Sequence, residues 1–301
     1  MSTVDEQGVA GDFPGGAAAQ VDVRRLRRQR RAELYAALRR SKTFLIGMAI
    51  LIFWVVSALA WRWIVRDPQA VDPGATLASP SADHWLGTDN LGRDVLARVI
   101  AGAAPVLTVA PLATLLGIVG GTTLGLVTGY YRGWIDDVFS RIVDALLAFP
   151  LIILAVLVLA SLGREPRNVI LVIGIIFTPL IARTVRSTVL VEREREYVAA
   201  ARLRGERGPR IMAVEILPNI TGPILVEATI RLGYAIFAAA TLAFLGLGIQ
   251  DPSPDWGLAI ANGRAFLQIA WWMVLFPATA LATLVVGVNL VADGLRRAIE
   301  E

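Results

Sequence analysis

Residues 105–130 read PVLTVAPLATLLGIVGGTTLGLVTGY, a stretch without a single charged side chain. About 20 consecutive apolar residues in an α-helix are enough to cross the hydrocarbon core of a bilayer. This stretch is therefore predicted to be a transmembrane helix. Its glycines recur at roughly helical spacing, which predicts a face that a neighbouring helix can approach closely. They are Gly117, Gly120, Gly121, Gly125 and Gly129.

Further apolar stretches of similar length lie on both sides of this one. The chain is 55% hydrophobic and 18% charged, whereas soluble domains average about 25% charged residues. A transmembrane β-barrel would need short, alternating segments, and these stretches are continuous. The sequence therefore predicts an all-α membrane protein, a bundle of six transmembrane helices. The predicted spans are residues 44–64, 105–130, 138–162, 169–190, 220–244 and 271–291.

The first 43 residues form a polar, basic tail ahead of a transmembrane domain predicted over residues 44–301. The apolar run that begins at Phe44 is about 21 residues long, whereas the apolar region of a signal peptide has about 7–15 residues. We therefore interpret the run as an uncleaved span. Positions 24–42 are rich in arginine and act either as a topology signal or as a basic helix on anionic lipid.

Basic residues are unevenly divided between the predicted loops. With the N-terminus placed in the cytoplasm, the cytoplasmic segments carry 21 lysines and arginines and the outer loops carry 6. Because cytoplasmic loops of membrane proteins are enriched in these residues, both termini are predicted to be cytoplasmic.

The longest predicted cytoplasmic connection is Arg183–Asn219, which reads RTVRSTVLVEREREYVAAARLRGERGPRIMAVEILPN. A connector between two helices needs only a few residues, but Glu192–Arg204 is rich in good helix formers. Gly205 is suited to end that helix, and Pro209 to begin a second short one. Such a helix fits a groove on a cytoplasmic partner. The alternative is a helix lying on lipid, which its many charges disfavour.

This connection resembles the coupling-helix motif of ABC importer permeases, in which an EAA block and a glycine are followed by a Leu-Pro pair. The motif glutamate corresponds to Ala199, which is a departure from the family. Tyr197, Ala200, Ala201 and Arg204 are predicted to share one face, whose small residues let a partner approach closely. The resemblance implies that the following residues contact an ATPase: Glu196, Tyr197, Ala199, Ala200, Ala201, Arg202, Gly205, Leu217 and Pro218.

Three further blocks are similar to signatures of the dipeptide/oligopeptide/nickel importer permeases. The first block, before the second span, is HWLGTDNLGRDVL at residues 84–96. The second lies within residues 141–150 and consists of RIVD and LAFP. The third is LAFLGLGIQ at residues 242–250, which is followed by Pro252, Pro254 and Trp256-Gly257. The order of spans and motifs points to the C-type permease subunit. Departures from the family pattern are Ala239, where an acidic residue is common, and Asp251, where proline is common.

The resemblance implies a subunit of a type I ABC importer in the plasma or inner membrane. It implies a homologous permease as heterodimer partner, two ATPase subunits or one fused ATPase, an extracytoplasmic substrate-binding protein and surrounding lipid, but no nucleic acid. ATP and magnesium would be bound by the partners. The only lysine, Lys42, has no glycines at the positions that a P-loop requires.

Peptides are the implied substrates, with a nickel complex, haem or glutathione as alternatives. A different class of function is a secondary transporter or channel working alone, which would favour inverted repeats or broken helices near the bilayer midplane. The sequence shows no clear repeat, and that function leaves the charged cytoplasmic helix unexplained.

Charged residues in or near the spans have alternative interpretations. The outer block is predicted to be a structural elbow or, less favoured, a calcium or magnesium site. It comprises Gly87, Thr88, Asp89, Gly92, Arg93 and Asp94. Arg141 and Asp144 form either a structural pair or part of a substrate site. Glu227 and Arg231, four residues apart, either border the translocation path or neutralise each other.

Two other features were assigned from the sequence. With one histidine, His84, and no cysteine, a zinc site of the usual kind is excluded. Gln250–Leu267, with Trp256 and the Trp271-Trp272 pair, is predicted as a docking surface for the binding protein.

Overall fold

The computed structural model describes residues 36–300, so most of the basic tail, including positions 24–35, lies outside the described residues. The described chain is built of helices, and the long connection over residues 65–94 contains an isolated bridge between Thr88 and Asp94. The helices are α1 (Lys42–Ile64), α2 (Val95–Ala101), α3 (Ala103–Tyr131), α4 (Trp134–Leu147), α5 (Leu151–Leu162), α6 (Pro166–Glu192), α7 (Glu196–Leu203), α8 (residues 208–219), α9 (Thr221–Phe244), α10 (Trp256–Gly263) and α11 (Trp272–Glu300).

The long helices agree with the predicted spans. Among the described residues, five helical stretches are long and apolar enough to cross a membrane, or six if a bent pair counts as one span. Helix α6 continues past Ala182 as far as Glu192, well beyond its purely apolar part.

The span predicted over residues 138–162 is interrupted in the structure. Helix α4 ends at Leu147, α5 begins at Leu151, and the two axes differ by 89°. The break is at Phe149-Pro150, because the ring of a proline disfavours helical backbone in the residue before it. The third apolar stretch is therefore a helix–break–helix element.

Helices α3 and α6 form the most extensive helix pair and lie against each other along the glycine stripe. An ideal Cβ on Gly121 would lie 2.6 Å from the Cβ of Ile181, and one on Gly125 would lie 2.7 Å from the Cβ of Val185. Any side chain at these positions would collide with α6. The stripe thus serves the close packing predicted from the sequence.

Helix α1 packs along α11 and closes the bundle on another side. Gly47 faces the backbone of α11, and its ideal Cβ would lie 2.7 Å from the Leu290 Cβ. Further along, the Trp54 indole N–H donates to the Thr283 hydroxyl at 3.2 Å, and the Trp54 ring lies edge-on to the Trp256 ring at 4.7 Å. The first span is thereby tied to α10 and α11.

Candidate functional site

Helix α7 ends in a Schellman motif, which fixes the direction of the chain after it. Gly205 adopts φ +74°, the left-handed conformation that favours glycine. Its N–H donates to the Arg202 carbonyl at 2.9 Å, and the Glu206 N–H donates to the Ala201 carbonyl at 3.2 Å. This is the hydrogen-bond pattern of the motif, so the prediction that Gly205 ends the helix is confirmed.

The two faces of α7 differ sharply in exposure. Val198 and Ala201 are fully buried against their own chain. Ala199 and Ala200 are exposed, and Leu203 is 90% exposed. We call Ala199, Ala200 and Leu203 the coupling face. The prediction that Ala201 meets a partner is wrong, because a side chain packed in the core of its own subunit is not accessible to another.

Tyr197 fixes α7 to the end of α6. Its hydroxyl donates to the Glu192 carboxylate at 2.8 Å. Burial and this hydrogen bond raise the pKa of Tyr197 to about 12, so the phenol stays protonated and acts as a donor at neutral pH. Tyr197 is half-buried, whereas Glu196 and Arg202 are exposed. The Tyr197 side chain therefore positions α7 within its own subunit.

Helix α8 follows as three short helical pieces. They are Gly208–Arg210, the π-helical Ile211–Ile216, and Leu217–Asn219. Pro209 lies at the start, as predicted, and Pro218 lies in the first turn of the last piece, where a proline is tolerated. Leu217 is half-buried and Pro218 is exposed.

The segment between α6 and α8 also contacts the C-terminal end of α3. Arg193 donates through Nη1 to the Tyr130 carbonyl at 2.6 Å and to the Gly129 carbonyl at 3.4 Å. The Arg202 guanidinium lies over the Tyr130 ring at 5.3 Å, and an ideal Cβ on Gly208 would lie 3.0 Å from that ring. We call this set the α3-end contact. No local motif in the sequence indicates this contact.

A groove of about 300 Å³ opens between α3, α4 and α6. Arg186 is held at its edge by a two-pronged ion pair with Asp136, at 2.5 and 2.6 Å. Asp144 and Arg183 also line the groove, whereas Arg141 is exposed and does not. Within residues 36–300 no ion pair joins Arg141 to Asp144, so the predicted structural pair is not formed.

Glu227 and Arg231 form the pair that their spacing predicts. The Arg231 Nε donates to the Glu227 carboxylate at 2.6 Å, and Glu227 is 8% exposed. The Arg231 guanidinium also lies over the Tyr234 ring at 5.8 Å. The two charges neutralise each other along one face of α9.

At the other end of the molecule, two buried arginines tie the loop before α2 to the loop after α9. Asp89 accepts from the Arg93 Nε at 2.6 Å and lies 3.8 Å from Arg98. Arg93 also reaches Asp251 at 3.0 Å. We call these four residues the outer network. Asp251, a departure from the family pattern, is thus a partner for both arginines in this chain.

Residues of the outer block form the turn that leads into α2. Asp94 caps α2 by accepting from the Ala97 N–H at 2.8 Å, and its other oxygen lies 2.9 Å from the His84 Nδ1. Gly92 adopts φ +77°, and an ideal Cβ there would lie only 1.9 Å from the Asp72 carbonyl oxygen. In the part of the chain that the structure describes, no group of three or more potential ligands could hold a metal.

Two of the three tryptophans predicted to form a docking surface are buried at this end of the molecule. Trp256 is fully buried and donates to the Val99 carbonyl at 2.8 Å. Trp272 is 5% exposed and donates to the Thr88 carbonyl, whereas Trp271 is 47% exposed. The expectation that Trp256 faces a partner is wrong, because its indole packs inside the subunit and satisfies a backbone oxygen there.

Comparisons with known proteins agree on one family. Residues 121–301 match the family described as binding-protein-dependent transport system inner membrane component. The chain is 41% identical over 89% of its length to the dipeptide transport system permease protein DppC of Alkalihalophilus pseudofirmus, covering 88% of that protein. It is 36% identical to the di/tripeptide transport system permease protein DppC of Pseudomonas aeruginosa, over 89% of this chain and 91% of that one.

Other relatives are named for the transport of glutathione. The chain is 39% identical to the glutathione transport system permease protein GsiD of Escherichia coli, over 89% of each chain. Among solved structures, an inward-facing MetNI methionine ABC transporter matches with a TM-score of 0.56 at 20% identity, over 67% of this chain and 96% of that one. At this identity the structural match establishes the fold alone.

Proposed function

The chain belongs to the binding-protein-dependent transport system inner membrane components, and from this membership we propose that it is one of two permease subunits in an ATP-driven peptide importer. The second subunit is a homologous permease, and ATPase subunits dock on the cytoplasmic side. An extracytoplasmic binding protein delivers the substrate. This chain performs no bond chemistry, and ATP hydrolysis takes place in the partners.

The observation that carries the proposal is the coupling face of α7. Leu203 is 90% exposed at the end of a short helix that its other side anchors firmly in the subunit. An apolar face on a short helix, flanked by Glu196 and Arg202, suits a groove on another protein. A transporter or channel working alone would leave this face without a partner.

The translocation path is proposed to run beside the groove between α3, α4 and α6. Asp144 and Arg183 are charged groups at its wall, whereas the Glu227–Arg231 pair is already neutralised within α9. Arg141, on the exposed side of α4, lies outside the groove wall. We therefore place Asp144 nearest the path and give the Glu227–Arg231 pair a structural role.

We propose peptides as the substrate class because relatives over nearly the whole chain are named for dipeptides and di/tripeptides. Glutathione is the alternative that other relatives suggest. The orientation proposed from the arginine distribution puts both termini and the coupling face in the cytoplasm and the outer network on the opposite side.

The experiment that tests the importer function uses the reconstituted complex of both permeases, the ATPases and the binding protein. Ala200→Trp and Leu203→Asp alter the coupling face without touching a span. Substrate-stimulated ATP hydrolysis and uptake should fall together, by roughly 5–150-fold, the usual range for coupling between sites.

The matched control is Ala213→Trp, which places the same bulk on an exposed alanine of α8, outside the coupling face. It should hydrolyse ATP and take up substrate like the unmodified complex. Normal stimulated hydrolysis and uptake in both coupling-face variants would remove α7 from the coupling role. Gly205→Leu is a poorer probe, because the left-handed backbone there disfavours any L side chain.

A further inference from the structure

Helix α7 is joined by the chain to α6 and, through α8, to α9, and Tyr197 bonds to the end of α6. Its Arg202 side chain also contacts the end of a span that is distant in the sequence, α3. The α3-end contact brings Arg193, Arg202 and Gly208 against the last residues of α3. Arg193 is only 15% exposed as a side chain, although it lies in a cytoplasmic connection rich in exposed charges. This half-buried arginine pairs with the neighbouring Glu194 and also reaches backbone carbonyls on another helix.

The contact has a clear physical basis. The last four carbonyls of an α-helix have no partner within the helix, and the helix dipole puts partial negative charge at that end. Arg193 supplies a cationic donor at 2.6 Å from the Tyr130 carbonyl oxygen, and hydrogen bonds from charged donors are among the stronger ones in proteins. The guanidinium thus holds the α3 terminus firmly to the start of the coupling segment.

We propose that the α3-end contact delivers the motion of α7 to the second span, α3, with Arg202 of α7 and Arg193 at the C-cap of α6 as positioning residues; this inference rests on the importer function proposed above. Motion imposed on α7 enters the membrane through the α3 terminus as well as through the covalent junction with α6. The two helices then move as one body, because the glycine stripe packs α3 against α6 along most of its length.

The connection from α7 to α9 has an irregular backbone. Between α7 and α9 lie the left-handed Gly205, the π-helical Ile211–Ile216 and Pro218. The left-handed backbone at Gly205 and the π-helical turn each interrupt a regular α-helix, whereas Pro218 lies in a first turn, where a proline is tolerated. Arg204 bridges to Glu206 and Glu215 there, but its side chain is 55% exposed, and exposed ion pairs contribute little. Motion of the coupling segment is therefore transmitted rigidly to the α3–α6 pair, whereas it reaches α9 through a more flexible connection.

The test compares Arg193→Gln with Arg132→Gln in the full reconstituted complex. Arg132 follows α3 at the same end, is exposed, and makes no hydrogen bond to the coupling segment in the described part of the chain. The quantity measured is substrate taken up per ATP hydrolysed. For Arg193→Gln this ratio should fall roughly tenfold, within the usual range of coupling energies. Basal ATP hydrolysis should stay within about twofold of the unmodified complex, because the coupling face is intact.

Rescue by a conservative variant distinguishes a positioning role of Arg193 from a merely structural one. Arg193→Lys keeps a cationic donor and should restore much of the ratio, whereas Arg132→Gln should leave it unchanged. An unchanged ratio in Arg193→Gln, or an equal loss in Arg132→Gln, overturns the inference. If Arg193→Gln does not assemble, Tyr130→Leu decides. It removes the ring under Arg202 but keeps the carbonyl, so a partial fall in the ratio supports the inference and an unchanged ratio overturns it.

The unmodified complex distinguishes a failure of the importer function from a failure of the α3-end contact to transmit motion. Absence of substrate-stimulated hydrolysis there would contradict the importer function itself. Stimulated hydrolysis and uptake there, together with unaffected Arg193 and Tyr130 variants, would contradict only the role of the α3-end contact.

Discussion

Arg186 of α6 and Asp136 of α4 form a two-pronged ion pair, with Nε 2.5 Å from one carboxylate oxygen and Nη2 2.6 Å from the other. Asp136 is 7% exposed and also accepts from the Ser140 hydroxyl at 3.3 Å. The pair joins α4, the first half of the broken third stretch, to the helix that leads into the coupling segment. It is the main polar link across one wall of the groove.

Removing the arginine should destabilise the subunit. Arg186→Met leaves the Asp136 carboxylate buried without its cationic partner, which costs about 1–3 kcal/mol for a buried unsatisfied acceptor and more for a charge. The melting temperature of the purified complex in detergent measures the effect. Arg183→Met, three residues earlier on the same helix and exposed, is the control and should change it little. Equal melting temperatures for the two variants would mean that the pair contributes nothing to stability.

The spans were predictable because each depends on a local property, the length of an apolar run. A local rule also identified the end of α7 at Gly205. The break at Pro150 was not predicted, although its cause is local. The apolar run continues through the proline, so hydropathy alone reports one span where the backbone makes a bend of 89°.

The long-range contacts could not be predicted from a single sequence. Arg193 and Tyr130 are 63 residues apart in the chain, and Arg93 and Asp251 are 158 apart. No spacing rule connects residues that meet only after the bundle has formed. The burial of Ala201 and Trp256 was missed for the same reason. Small or aromatic residues suit a partner surface and a core equally well, and only packing decides between them.

The glycine stripe predicts a graded response to added side chains. An ideal Cβ at Gly121 would lie 2.6 Å from the Ile181 Cβ, so Gly121→Ala should force α3 and α6 apart. Overpacking of this kind costs about 1–3 kcal/mol. Gly120→Ala is the neighbouring control. Its Cβ would meet only the Thr178 side chain, at 3.0 Å or more. Thermal unfolding should show a larger loss for Gly121→Ala, and the reverse order would contradict the packing.

The arginine distribution predicts which sites are reached from outside. Because the chain contains no cysteine, single cysteines can be labelled without background. A cysteine at Ser161 or Asn262 should react with a membrane-impermeant reagent in intact cells, whereas one at Ser187 should react only after the cells are opened. Labelling of position 187 in intact cells would invert the proposed orientation.

The last prediction concerns pH and depends on Asp255, which caps α10. Its carboxylate accepts from the Leu258 N–H at 3.0 Å, and the residue is 6% exposed. Burial raises the pKa of Asp255 to about 6, although the backbone N–H groups that it accepts from and the nearby Arg98 act in the opposite direction. In the unfolded chain an aspartate ionises near pH 3.9.

Between about pH 4 and 6 the native protein therefore binds more protons at this site than the unfolded chain does. Its contribution to stability is fully present below about pH 4 and is lost as the pH rises through 6, at up to about 1.4 kcal/mol per pH unit. Asp255→Asn keeps the capping oxygen but does not ionise. The variant should thus become more stable relative to the unmodified protein as the pH rises from 4 to 6.5, as thermal unfolding in detergent would report. Asp83→Asn, an exposed control, should follow the unmodified protein. A parallel pH dependence in Asp255→Asn would mean that Asp255 does not titrate in this window.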